Sequence, residues 1–71
     1  MLGEQIRKAR VAAALTQEQL AFKADVSRNY ISLLELDRKS PTLDTLFRLC
    51  EALGVKVSTL VARVERGREQ Q

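Results

Sequence analysis

The chain contains no histidine and no tryptophan, and its 71 residues include one cysteine, one proline, one tyrosine and two phenylalanines. Each scarcity closes a class of function. Without histidine, a zinc site of the Cys/His type is excluded in practice, and no metal is expected. Cys50 has no imidazole to act as its base, which removes cysteine-nucleophile catalysis. A lone thiol cannot form an internal disulfide, and it suits a reducing cytoplasm. So few aromatic rings make a poor platform for stacking single-stranded bases. No apolar run approaches ~18 residues and no signal-peptide pattern opens the chain, so neither membrane insertion nor secretion is expected. There is no glycine-rich phosphate loop and no carboxylate pair set for acid–base work, so neither an enzyme nor a cofactor is expected.

What remains is a mildly basic, ordinarily apolar chain. Twelve Lys and Arg stand against nine Asp and Glu, a net charge of +3, and 45% of the residues are apolar. That balance permits nucleic-acid binding and is too even for a polybasic tail. The length fits one domain spanning residues 1–71, small enough to need tight helical packing, self-association or both. Apolar residues recur at helical spacing throughout. The expectation is an all-α domain of five helices, at 2–15, 17–24, 28–36, 43–53 and 58–66.

The organising stretch runs from Thr16 to Leu36. Thr16 is a good N-cap, and Gln19 three residues on completes a capping box for a helix beginning at Gln17. Leu20, Ala21 and Ala24 share its inner face. Ser27 is a good N-cap for a second short helix, in which Val26, Ile31 and Leu34 face inward. The turn between them needs a residue of positive φ, and Asp25 tolerates that better than most. The outward face of the second helix offers Arg28, Asn29, Ser32 and Leu33. Arg and Asn are the side chains best suited to bidentate pairing with guanine and adenine edges in the major groove. This is the pattern of a helix-turn-helix, whose second helix enters the groove N-terminus first.

In these residues the chain resembles the DNA-binding domain of phage repressors and Cro, the λ-repressor-like family. The shared pattern is Thr16-Gln17, Leu20-Ala21, Val26-Ser27, Ile31-Ser32 and Glu35, continued by Pro41, Leu46 and Ala52-Leu53-Gly54. It covers roughly Gly3 to Leu60. The run Ser27-Arg28-Asn29-Tyr30-Ile31-Ser32 is also similar to the small controller proteins of restriction-modification systems. The resemblance implies a five-helix λ-repressor-like domain with its helix-turn-helix at helices 2 and 3. Two departures stand out: the family usually has glycine in the turn, where this chain has Asp25, and glycine soon after the glutamate, where it has Leu36-Asp37. Both put aspartate where positive φ is expected, at a small cost in stability.

The first helix carries Leu2, Ile6, Arg10 and Ala13 on one face, which points Arg10 inward. Either it extends along its aliphatic stem to solvent, or it pairs with Glu35 at the inner edge of the second motif helix. An Arg–Glu pair at the equivalent places is a feature of the repressors the chain resembles. Gln17 opens a helix whose free N–H groups and dipole favour a phosphate, and the matching Gln of the related repressors contacts DNA. Tyr30 either packs under the turn or reaches a phosphate or base edge. Leu33 and Leu36 are apolar on a polar side, and Leu36 is expected to close on the following loop. Arg38, Lys39 and Ser40, with Gln17, Ser27 and Tyr30, are the candidate DNA-backbone contacts. Arg28, Asn29 and Ser32 are the candidate base readers. Read blandly, 38–40 is only a solvated loop.

Thr42 caps the fourth helix, where Leu43, Leu46, Phe47, Leu49, Cys50 and Leu53 form an apolar stripe expected to be core, and Gly54 ends it. Ser58 is expected to cap the last helix. Val57, Leu60, Val61 and Val64 mark its apolar side, the candidate dimer interface. The expected function is a sequence-specific double-stranded DNA-binding regulator, a homodimer on a palindromic operator in the cytoplasm. The alternative is an antitoxin or interaction module that holds a second protein through the terminal helix.

Overall fold

The computed structural model describes residues 1–69. Five helices follow one another: α1 Leu2–Ala12, α2 Gln17–Ala24, α3 Arg28–Glu35, α4 Leu43–Leu53 and α5 Val57–Glu69. The starts of α2, α3 and α4 are set by hydroxyl caps. Thr16 Oγ1 accepts from the N–H of Gln19 at 3.0 Å, and Gln19 Oε1 accepts from the N–H of Thr16 at 2.9 Å, closing the capping box. Ser27 Oγ accepts from Tyr30 N–H at 3.0 Å, and Thr42 Oγ1 from Thr45 N–H at 3.2 Å. Each satisfies a first-turn donor that the helix itself cannot.

The ends of the first four helices share one device: a residue of positive φ turns the chain out, and the next N–H bonds back into the last turn. The residues are Ala14 (φ 57°), Asp25 (58°), Asp37 (57°) and Gly54 (72°). The back-bonds run from Leu15 N–H to Arg10 O, Val26 N–H to Ala21 O, Arg38 N–H to Leu33 O and Val55 N–H to Cys50 O, at 2.9–3.1 Å. Only one of the four turning residues is glycine, the residue that adopts this conformation without strain. Asp25 and Asp37 do adopt positive φ.

Four helix bounds differ from the sequence expectation, the last of them being the end of α5, at Glu69 rather than residue 66. The first helix stops at Ala12 rather than residue 15, because Ala14 enters the left-handed region. The third stops at Glu35, one residue short of Leu36. The last begins at Val57, with Lys56 O accepting from Leu60 N–H at 3.1 Å, so Ser58 lies inside the helix and does not cap it.

The helix-turn-helix pair α2–α3 packs against α1 and α4, and α5 closes across α1 and α4. Ile6, Leu20, Ile31, Leu34, Leu49, Cys50 and Leu60 are the large, fully buried side chains at the centre. Val26 packs at the edge of this core. Burial pushes the Cys50 thiol up from its ordinary range, in keeping with an inert, packed side chain. Four placements read from the sequence fail. Ala13 lies beyond the end of α1 and is exposed. Leu43 and Phe47 stand 65% and 55% exposed on the outer edge of the α4 stripe. Leu36 is 62% exposed and does not close against the loop.

Candidate DNA interface

Glu35 is where the motif is fastened to the rest of the domain. Arg10 Nε donates to Glu35 Oε2 at 2.6 Å and Arg10 Nη2 to Oε1 at 3.2 Å, a forked pair joining α1 to α3. Arg10 Nη1 donates to the carbonyl of Leu15 at 2.8 Å, tying in the end of the α1–α2 turn. Gln17 Nε2 adds a third donor to the carboxylate, at 3.1 Å from Oε1. Glu35 is 4% and Arg10 15% exposed, so the inward, paired position is the one Arg10 takes. A planar guanidinium suits this because two parallel bonds fix both angle and distance. One carboxylate thereby sets the angle between α1, α2 and α3.

Gln17 sits differently from a simple ligand-facing residue. Its side-chain amide is turned to Glu35 and half-buried. What it can offer outward is its main-chain N–H at the first position of α2, beside that of Glu18, where the helix dipole favours an anion.

On the opposite side of the motif, Arg28 and Asn29 are exposed at the leading end of α3. Ser32, one turn on, is half-buried, as is Leu33. Ser27 is exposed, but its hydroxyl oxygen is engaged by the cap bond to Tyr30 N–H. Tyr30 takes the packed option, against the core edge, and its ring also lies under Lys39, whose Nζ is 5.6 Å from the centroid. That is cation–π range. Arg38, Lys39 and Ser40 are all exposed in the loop after α3. The α2 N-terminus, the leading turn of α3 and the following loop therefore carry main-chain donors, an Arg/Asn pair and two cations in an order a duplex can meet.

The dimer residues do not behave as a set. Leu60 is fully buried in the domain's own core and is withdrawn as an interface residue; its side chain is consumed in packing α5 down. Val57 and Val64 are half-buried, and Val61 is 42% exposed. Sequence reasoning missed Phe47. It lines an open apolar groove of about 670 Å³ between α4 and α5, together with Cys50, Val55, Val57 and Val61. The signal was there: Phe47 lies on the flank of a stripe too broad for one neighbour to cover. Among the described residues no cluster of His, Cys, Asp or Glu could hold a metal ion, and no helix is long and apolar enough to cross a membrane.

A three-helix frame that presents a capped second helix, with cations flanking its exposed leading turn, defines a DNA-binding helix-turn-helix domain. The chain belongs to the helix-turn-helix family of phage and bacterial transcriptional regulators, whose profile matches residues 6–60. It is 41% identical over 70 residues to the immunity repressor of Bacillus phage phi105, covering 99% of this chain and 49% of that protein. It thus spans about half the length of that repressor. It is 34% identical over 62 residues to the control protein C.BamHI of Bacillus amyloliquefaciens, covering 86% of this chain and 76% of that one. Among solved structures, the P22 c2 repressor in complex with a synthetic operator superposes with a TM-score of 0.79 at 30% identity, covering 84% of this chain and 91% of that one. The chain is a helix-turn-helix DNA-binding domain of a family of transcriptional regulators that are not enzymes.

Proposed function

We propose that the protein binds double-stranded DNA sequence-specifically, as a homodimer on a palindromic operator, and regulates transcription in the cytoplasm by occupying that site. The observation that carries the reading is the exposed Arg28-Asn29 pair at the leading end of α3, with α3 held in place by the buried Arg10–Glu35 pair behind it. In the major groove Arg28 and Asn29 contact base edges, with Ser32 one turn deeper. Main-chain donors at Gln17, the Ser27–Tyr30 turn, and Arg38, Lys39 and Ser40 meet phosphates and fix the register.

Dimerisation is assigned to the α4–α5 groove, where Phe47, Val57 and Val61 take the role; Leu60 is core, and Val64 lies away from the groove, beside Met1 and the α1 residues Glu4 and Gln5. Two-fold pairing there buries an apolar surface that one copy leaves open, and the symmetry would set two copies of α3 about one DNA turn, ~34 Å, apart. The test is selection of duplexes from a randomised pool, followed by sedimentation of the protein alone and with the recovered duplex. Recovery of a two-fold symmetric site holding two protomers supports the reading. Recovery of no common sequence refutes specificity. A monomer both alone and on DNA refutes pairing and leaves the groove to a different protein.

A further inference from the structure

α1 has no N-terminal cap of its own: Met1 occupies the cap position and its side chain makes no capping bond. The cap comes instead from the far side of the fold. Asp37 Oδ1 accepts from the N–H of Gly3, in the first turn of α1, at 2.9 Å. The approach depends on Gly3, where a Cβ would stand 2.5 Å from the carbonyl oxygens of Leu34 and Glu35. Asp37 is itself the turning residue that ends α3, at φ 57°. One carboxylate therefore clips the first residue of the loop Asp37-Arg38-Lys39-Ser40 to the start of α1. Two residues on, Lys39 is held over Tyr30 of α3. The loop's two cations lie between or on these fixed points.

We propose that Asp37 is a positioning residue for DNA binding. Its bond to Gly3 N–H fixes where Arg38 and Lys39 stand relative to α3, so that both reach phosphates without first being ordered. The proposal rests on the reading of Arg38 and Lys39 as phosphate contacts. A glycine at 37, as in the general family pattern, relieves the strain of positive φ and loses the clip. Without the clip the loop shifts away from α3 and one of its two cations no longer reaches a phosphate, which weakens all duplexes alike because phosphates carry no sequence information. Asparagine keeps both features: it tolerates positive φ and retains an acceptor oxygen.

The test measures affinity of the full chain for a duplex selected by it from a randomised pool, and for a random duplex of equal length, across about 50–200 mM salt. The proteins are wild type, Asp37→Gly, Asp37→Asn, the double variant Arg38→Ala/Lys39→Ala, and the triple variant combining that pair with Asp37→Gly. Helical content and melting are followed in parallel. The double variant is expected to lower the salt slope by about 2, close to 0.9 for each phosphate no longer neutralised. Asp37→Gly should lower it by about 1 and weaken both duplexes about tenfold, with helical content unchanged, while Asp37→Asn binds as wild type. In the triple variant Asp37→Gly should cost nothing further. A merely structural role would change melting or the active fraction and leave the slope alone. A wild-type slope for Asp37→Gly, or an equal loss with and without the two cations, overturns the proposal by itself. A wild-type slope for the double variant overturns the phosphate reading, and the proposal with it.

Discussion

Arg28 and Glu35 sit seven residues apart on one short helix and do opposite work. Arg28 is exposed and, in the proposed complex, faces the DNA, so its loss should leave the fold intact and act on selectivity. Arg28→Ala is expected to relax preference at one base position, at a cost of about 1–3 kcal/mol on the selected duplex and little on random DNA. Competition assays with single-base variants of the site check this; an equal loss on every duplex would make Arg28 a phosphate contact. Glu35 faces the domain, and Glu35→Ala leaves Arg10, whose side chain is 15% exposed, without its carboxylate partner. Removing one member of a buried pair costs about 3 kcal/mol, a large share of the stability of a domain this small. Thermal melting should fall accordingly, and an unchanged melting temperature would remove the fastening role. Asp37 adds a pH term. The N–H of Gly3, and behind it the α-amino group of Met1, hold its carboxyl below the ordinary 3.8. A depressed folded-state value means that the stabilisation is complete above the unfolded value and drains away as pH falls through the folded one. The acid limb of a stability profile, below about pH 4, should flatten in Asp37→Asn.

At the scale of elements, the capped starts of α2, α3 and α4 and the ends of α2 and α4 were legible, whereas the ends of α1 and α3 and both bounds of α5 were not. Thr16, Ser27 and Thr42 announce their helices because a hydroxyl before an apolar-periodic run has one dominant use. The end of α1 was hidden because Ala14 is a strong helix former with no turn signal, yet it stands at φ 57°. An alanine in that conformation is strained by about 1 kcal/mol, so Ala14→Gly should raise the melting temperature, and a fall would mean the turn is less strained than its geometry indicates. The aspartates at 25 and 37 were readable as turning residues from their chemistry. The α4 stripe was over-read: periodicity places Leu43 and Phe47 with Leu46 and Leu49, but the neighbouring helices leave both more than half exposed. Periodicity ranks faces and does not say where cover ends. For the same reason Leu60 looked like interface and proved to be core, while the Arg10–Glu35 pair, inferred from face and family resemblance together, stands as expected. The turning of Gln17 to Glu35, and of Asp37 to Gly3, joins residues 18 and 34 positions apart, and no local pattern encodes such pairings.

For the whole molecule, the decisive property is how many copies meet DNA. A single α3 supplies three candidate base contacts, too few for long-site specificity, whereas a linked pair squares the discrimination of each half-site. Val61→Glu places a carboxylate at the α4–α5 groove on an exposed position, where the monomer fold should tolerate it. Sedimentation should then show a monomer, and affinity for a two-fold site should fall by about 100-fold or more while single half-site binding is unchanged, because the second binding event is no longer intramolecular. Equal affinity for whole and half sites in the wild type would show instead that one copy suffices.

The most direct measurement is a titration of the protein onto labelled DNA from upstream of its own gene, at two salt concentrations, with random duplex in excess. The account predicts binding that weakens with salt, survives the competitor and saturates at two protomers per site. Binding that the random duplex removes completely would leave only a generic basic surface and contradict the assignment of α3 as a sequence-reading helix.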